Sequence, residues 1–120
     1  MEELFPASQK TLSLFAEPGN PVVRVIDTET AGQARVAEDA VIEIGSVDLD
    51  LVTGRIFNPM QTLADPGGVI ITEHARRVHG ISDEMLAGAP PFAEAAAPFT
   101  QGFETYAAQR ASFDRDRLRF

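Results

Sequence analysis

The sequence contains no cysteine, which removes disulfide frameworks, thiolate zinc sites and cysteine nucleophiles together and leaves oxygen and imidazole to hold any metal. It also lacks any apolar run approaching the roughly 20 residues of a membrane-spanning helix. The N-terminal Met1-Glu2-Glu3-Leu4-Phe5-Pro6 has neither a basic n-region nor a long apolar h-region. A cytoplasmic protein without membrane association is the expectation. Positive charge is scarce: ten Lys and Arg against eighteen Asp and Glu give a formal net charge of -8. Such a balance argues against a protein that coats nucleic acid electrostatically, because that binding depends on cations neutralising phosphates. It is compatible with an enzyme that meets phosphate through metal ions, for which clustered carboxylates are a requirement. Four arginines, Arg110, Arg115, Arg117 and Arg119, crowd the last eleven residues, where a solvated chain end is the plainer reading.

What is present is ordinary for a globular chain. With 120 residues, 44% hydrophobic and 23% charged, one modest core and one domain are expected. Residues 1–20 read as a leader segment, since the apolar set Leu4, Phe5, Leu12, Leu14 and Phe15 ends in the breaker cluster Glu17-Pro18-Gly19-Asn20-Pro21. Val22-Val23-Arg24-Val25-Ile26 is β-branched and apolar enough for a buried strand ending at Asp27. A polar loop over residues 30–39 precedes a second strand over 40–51. Period-2 alternation there places Ile42, Ile44, Ser46, Asp48 and Asp50 on one face and Val41, Val47 and Leu49 on the other, a strand that begins buried and ends half-exposed. Thr53-Gly54 turns the chain into a third strand near residues 55–62, completing an antiparallel meander.

After the breaker Asp65-Pro66-Gly67-Gly68 the signals are helical. Thr72 is placed to cap residues 73–78, and Ser82 to cap residues 83–86 with acidic residues in the first turn. A longer helix starts at Pro90-Pro91 and carries Phe92, Ala95, Ala96, Phe99 and Phe103 on one stripe, with Pro98 set to kink or end it. The remaining tail has no assignment.

In an extended chain residues i and i+2 point to the same side, so Asp27 and Glu29 present two carboxylates to one point while Thr28 faces away. Hard divalent cations, Mg²⁺ or Mn²⁺, take such oxygen ligands, and two ions a few ångströms apart can activate a water and stabilise a leaving oxygen in phosphodiester hydrolysis. Asp-x-Glu by itself is equally the pattern of loop carboxylates on a surface. A phosphatase or glycosyltransferase reading is disfavoured, because Glu29 stands where a second Asp is needed and no phosphate-cradling Gly-rich loop follows.

Four stretches supply context: Val25-Ile26-Asp27-Thr28-Glu29-Thr30-Ala31-Gly32, Ala40-Val41-Ile42-Glu43-Ile44-Gly45-Ser46-Val47, Val78-His79-Gly80-Ile81-Ser82-Asp83-Glu84-Met85 and Ala89-Pro90-Pro91-Phe92. In this order the chain resembles the DEDD (DnaQ-like) 3'-5' exonucleases, and is similar to the proofreading epsilon subunit of bacterial DNA polymerase III. The resemblance implies an α/β, ribonuclease H-like fold, here its N-terminal part with a partial exonuclease domain over residues 21–120. It implies hydrolysis at the 3' end of single-stranded DNA or RNA by two Mg²⁺ or Mn²⁺ ions, with a DNA polymerase subunit as a partner.

Matched position by position, Asp27 and Glu29 correspond to the family's first two acids, Glu29 also orienting the attacking water. Asp114, in Phe113-Asp114, corresponds to the third, although Gln109-Arg110 stands where the family has His-Asn. Thr28, Thr30, His79 and Phe113 are the implied substrate contacts; for His79 a loop-packing role is the alternative, and His74 reads as an exposed helix residue. The family's general-base histidine and fourth acid have no counterpart before Phe120, so a C-terminally truncated domain of impaired activity is expected, with exposed apolar sheet surface. The rival expectation is a non-catalytic remnant that binds metal, single-stranded nucleic acid or a protein partner.

Overall fold

The computed structural model describes residues 18–33, 35, 39–101 and 106–108. Four strands, β1 (Val22–Thr30), β2 (Val41–Asp50), β3 (Ile56–Leu63) and β4 (Tyr106–Ala108), form one sheet in the order β3-β2-β1-β4. Three helices, α1 (Glu73–His79), α2 (Asp83–Leu86) and α3 (Phe92–Thr100), lie between β3 and β4 in sequence. β1, β2 and β3 make the expected antiparallel meander. The short β4 runs parallel to β1, placing Tyr106 beside Arg24 and Ala108 beside Ile26. This strand falls in the tail that had no assignment. The leader as far as residue 17, Phe103, Phe113, Asp114 and the four C-terminal arginines lie outside the described residues.

β1 continues past the expected end at Asp27, because β2 pairs with it residue by residue through Glu29 opposite Glu43. The register then shifts between Glu29 and Thr30, so that Thr30 faces Val41. An extra residue on one strand reverses the alternation beyond it. This corrects the expected sharing of a face by Ile42 and Ile44. Val41 joins Ile44, Ile26, Ala64 and the α3 residues Ala95, Ala96 and Phe99 in one core. Ile42 joins Ala31, Ile71, Ala75, Ile81 and Leu86 beneath α1 and α2 in a second.

The polar half of β2 also departs from expectation, since Ser46, Asp48 and Asp50 are buried rather than half-exposed. The reason is pairing. Arg24, opposite Asp48 and only 4% exposed, donates from Nε and Nη2 to the two Asp48 oxygens at 2.8 and 3.0 Å. Asn58, at φ 53, adds a third donor to Asp48 at 2.8 Å. Asp50 holds the hairpin: its Oδ1 accepts from the Val52 and Thr53 amides, Asn20 donates to its carboxylate, and Gly54, at φ +76, supplies the left-handed residue before β3. Buried carboxylates survive where such donors replace water.

Helices α1 and α2 start where the capping residues of the sequence place them. Thr72 Oγ1 accepts from the Ala75 amide at 3.1 Å and Ser82 Oγ from Met85 at 3.2 Å. α3 lays Ala95, Ala96 and Phe99 on the sheet and ends two residues after Pro98, as a residue without an amide hydrogen favours. Arg24 Nη1 caps that end, donating to the Pro98 and Phe99 carbonyls at 3.2 and 3.0 Å, where a cation also meets the negative end of the helix.

Candidate active site

Alternation along β1 sends Arg24, Ile26 and Thr28 to the α3 side of the sheet, and Val23, Val25, Asp27 and Glu29 to the other. Asp27 is exposed and Glu29 half-buried. Directly across, Asp27 faces Gly45, which adds no side chain beside it, and Glu29 faces Glu43. Gln61 of β3 hydrogen-bonds Glu43 through its side-chain amide. Glu43 therefore brings a third carboxylate to the same face, one that sequence reasoning missed.

These charges crowd Glu29. Its carboxyl is raised above the ordinary value of 4.5, first by burial and then by the negative charge of Asp27, with Glu43 acting in the same direction and His79 opposing it. A carboxylate pair that repels itself in this way attracts a cation. The residues present thus fit a hard divalent ion in their chemistry, Asp27 and Glu29 being the oxygen ligands that could hold it. Among the described residues no group of three His, Cys, Asp or Glu side chains is arranged to hold a metal ion, so the described part of the site is a pair.

The segment after Glu29 is gripped by α1 at both ends. The Thr72 amide donates to the Ala31 carbonyl at 2.8 Å, and His79 Nε2 lies 3.2 Å from the Thr30 carbonyl. Gly32, at φ +87, packs so closely on α1 that a Cβ would lie 2.6 Å from both Ala75 Cβ and Thr72 Oγ1. Asp39 closes the loop, its Oδ1 accepting from the Gly32 and Ala40 amides at 2.9 Å.

Of the residues expected to form the site, Asp27 and Glu29 share one face at the end of β1, and His79 meets the backbone carbonyl of Thr30 there, while the Thr30 side chain falls on the other face, opposite Val41. Thr28 lies on the opposite face of the strand, as its position in the triplet implied. His74 is exposed on α1. A cavity of about 780 Å³, bordered by Val41, Phe92, Ala96, Asp39 and Asp65, lies on the α3 side, away from the carboxylate pair. No helix among the described residues is long and apolar enough to cross a membrane.

Residues 24–119 match the exonuclease family model, RNase_T. Exodeoxyribonuclease 10 of Escherichia coli K12 is 39% identical over 94 residues, covering 78% of this chain and 39% of that protein. A DNA polymerase III subunit epsilon-like protein of Rhodobacter capsulatus is 35% identical over 100 residues, covering 79% of this chain and 14% of its own length. The chain thus spans well under half of either curated relative. Among solved structures, exonuclease X in complex with 5' overhanging duplex DNA superposes with a TM-score of 0.65 at 40% identity, over 80% of this chain and 52% of that one. Product-bound exonuclease I, at 18% identity, shares the fold with a TM-score of 0.68 over 83% of this chain and 24% of that one. With its ribonuclease H-like sheet and the Asp27-Thr28-Glu29 strand end, this chain belongs to the DEDD exonuclease family.

Proposed function

We propose that this chain carries the first metal-binding strand of a 3'-5' exonuclease that removes mononucleotides from DNA or RNA 3' ends, within a partial exonuclease domain spanning residues 21–120. The observation that carries the proposal is the projection of Asp27 and Glu29 from one face of β1. Asp27 and Glu29 would hold Mg²⁺ or Mn²⁺, with Asp114 as a further ligand on the strength of the Phe113-Asp114 resemblance. When bound, such ions supply Lewis-acid stabilisation and a more acidic water.

The chain's own residues do the placing. Asp27, exposed, is open to substrate and solvent; Glu29, half-buried beside it, is the group suited to orient the attacking water. DNA as substrate is supported by the name of the Escherichia coli relative, and association with a polymerase by that of the Rhodobacter relative. Thr28, Thr30 and Phe113 remain substrate contacts on the resemblance. His79 is assigned there too, but both its ring nitrogens are bonded to backbone.

That feature favours a second reading, a chain that binds metal or single-stranded nucleic acid with little turnover. Among the described residues, His79 is engaged by backbone and His74 is exposed on α1. A positioned base contributes roughly 10² to 10⁴-fold in rate. The test follows 3'-terminal mononucleotide release from a single-stranded oligonucleotide in Mn²⁺, beside calorimetric titration of Mn²⁺. Release that disappears in Asp27→Ala supports the exonuclease; Mn²⁺ binding without release supports the second reading. Release that Asp27→Ala leaves unchanged overturns the assignment of the pair.

A further inference from the structure

We propose that His79 is a positioning residue that acts on the carboxylate pair through the Thr30 carbonyl and is not a ligand of the substrate. The proposal rests on the reading of Asp27 and Glu29 as metal ligands.

The ring has one tautomer that satisfies its surroundings. The Ile81 amide donates to Nδ1 at 3.0 Å, so Nδ1 offers its lone pair and carries no proton. The proton of the neutral ring is then on Nε2, which lies 3.2 Å from the Thr30 carbonyl oxygen and donates to it. Both nitrogens are consumed inside the chain. A substrate phosphate or base could recruit either one only by breaking a bond that holds the loop.

The place where this bond acts gives it its consequence. Thr30 follows Glu29, and the register with β2 shifts between the two. A shift interrupts the regular ladder, and although the Ala31 amide still meets the Ala40 carbonyl at 2.9 Å, the chain leaving Glu29 takes further bonds that set its direction. Two come from α1: the Thr72 amide takes the Ala31 carbonyl at the helix start, and His79 takes the Thr30 carbonyl at its last residue. Gly80, at φ +71, ends the helix there, which brings Ile81 round to meet Nδ1. Two successive carbonyls after Glu29 are thus fixed from a single helix, and the Glu29 side chain inherits that orientation.

Two variants separate the ring nitrogens. In His79→Asn the amide oxygen replaces Nδ1 and keeps the Ile81 bond, whereas nothing reaches Thr30. In His79→Gln the amide nitrogen replaces Nε2 and keeps the Thr30 bond. The readouts are the Kd for Mn²⁺ by calorimetry, the affinity for a single-stranded oligonucleotide in EDTA by fluorescence anisotropy, and the Tm of each variant.

The expected result is Mn²⁺ binding weakened about fivefold in His79→Asn, the factor that corresponds to one hydrogen bond of ordinary net strength. Mn²⁺ binding in His79→Gln stays near wild type, and neither variant changes oligonucleotide affinity. Unchanged Mn²⁺ affinity in His79→Asn overturns the proposal. So does equal weakening in both variants with an equal loss of Tm, which marks a merely structural residue. A fall in oligonucleotide affinity at constant Mn²⁺ affinity overturns it in favour of a substrate contact. Asp27→Ala, measured alongside, isolates the premise: if it leaves Mn²⁺ binding unaltered, the metal-ligand reading itself has failed, and the role of His79 with it.

Discussion

Replacing Asp48 by alanine removes both charge-assisted bonds that Arg24 donates to it, at 2.8 and 3.0 Å. It leaves a guanidinium only 4% exposed without its carboxylate. The Nη1 bonds to the Pro98 and Phe99 carbonyls, which are neutral oxygens, persist. Breaking one side of a buried pair costs about 3 to 5 kcal/mol, against a total stability of about 5 to 15 kcal/mol for a domain. With an unfolding entropy of about 2 cal/mol/K per residue, a loss of that size lowers the Tm of a domain of roughly 100 residues by about 15 to 25 °C. Urea denaturation followed by circular dichroism measures it, as a fall in midpoint at constant slope. The double variant Arg24→Met with Asp48→Leu removes both charges together and is expected to recover most of the loss, because apolar replacement of a buried pair is often neutral or stabilising. A loss below about 1 kcal/mol in Asp48→Ala, or a double variant as unstable as the single one, refutes the view that this pair joins β1, β2 and α3.

Gly32→Ala is expected to cost about 2 kcal/mol or more, since its Cβ would meet both Ala75 and Thr72 at 2.6 Å. Gly54→Ala, with open space around it, should cost only about 1 kcal/mol for the left-handed backbone; equal effects in denaturation would contradict the close approach. Thr72→Ala removes the α1 cap and should cost about 1 kcal/mol by the same assay. Without metal, the raised Glu29 carboxyl gives the native state a proton that the unfolded chain releases. Its contribution to stability is complete below the ordinary value of 4.5 and is lost as pH rises through the raised value. Glu29→Gln should therefore flatten the pH dependence of urea midpoints measured in EDTA, and a profile identical to wild type would show that Glu29 does not carry the effect.

Features encoded locally were legible in the sequence. Thr72 and Ser82 read as caps because their hydroxyls act within three residues, and Thr53-Gly54 read as a turn because Gly54 supplies the positive φ. Asp27 and Glu29 read as a pair because strand alternation is local too. What escaped depends on contacts distant in sequence. Asp48 and Asp50 look like surface residues until Arg24 and Asn20 are placed beside them. The separation of Ile42 from Ile44 depends on a register shift against β1. Glu43 joins the carboxylate face beside the pair only when β2 places it opposite Glu29. The three residues of β4 carry too short a pattern to announce a strand, and their parallel pairing with β1 spans most of the chain.

The proposed function depends on Asp27 and Glu29 together forming a divalent-cation site. Calorimetric titration of the protein with Mn²⁺, repeated on Asp27→Asn and Glu29→Gln variants whose circular dichroism matches wild type, tests it most directly. The expected result is a saturable isotherm in the wild type that each substitution abolishes or strongly weakens. An isotherm that both substitutions leave unchanged would contradict it.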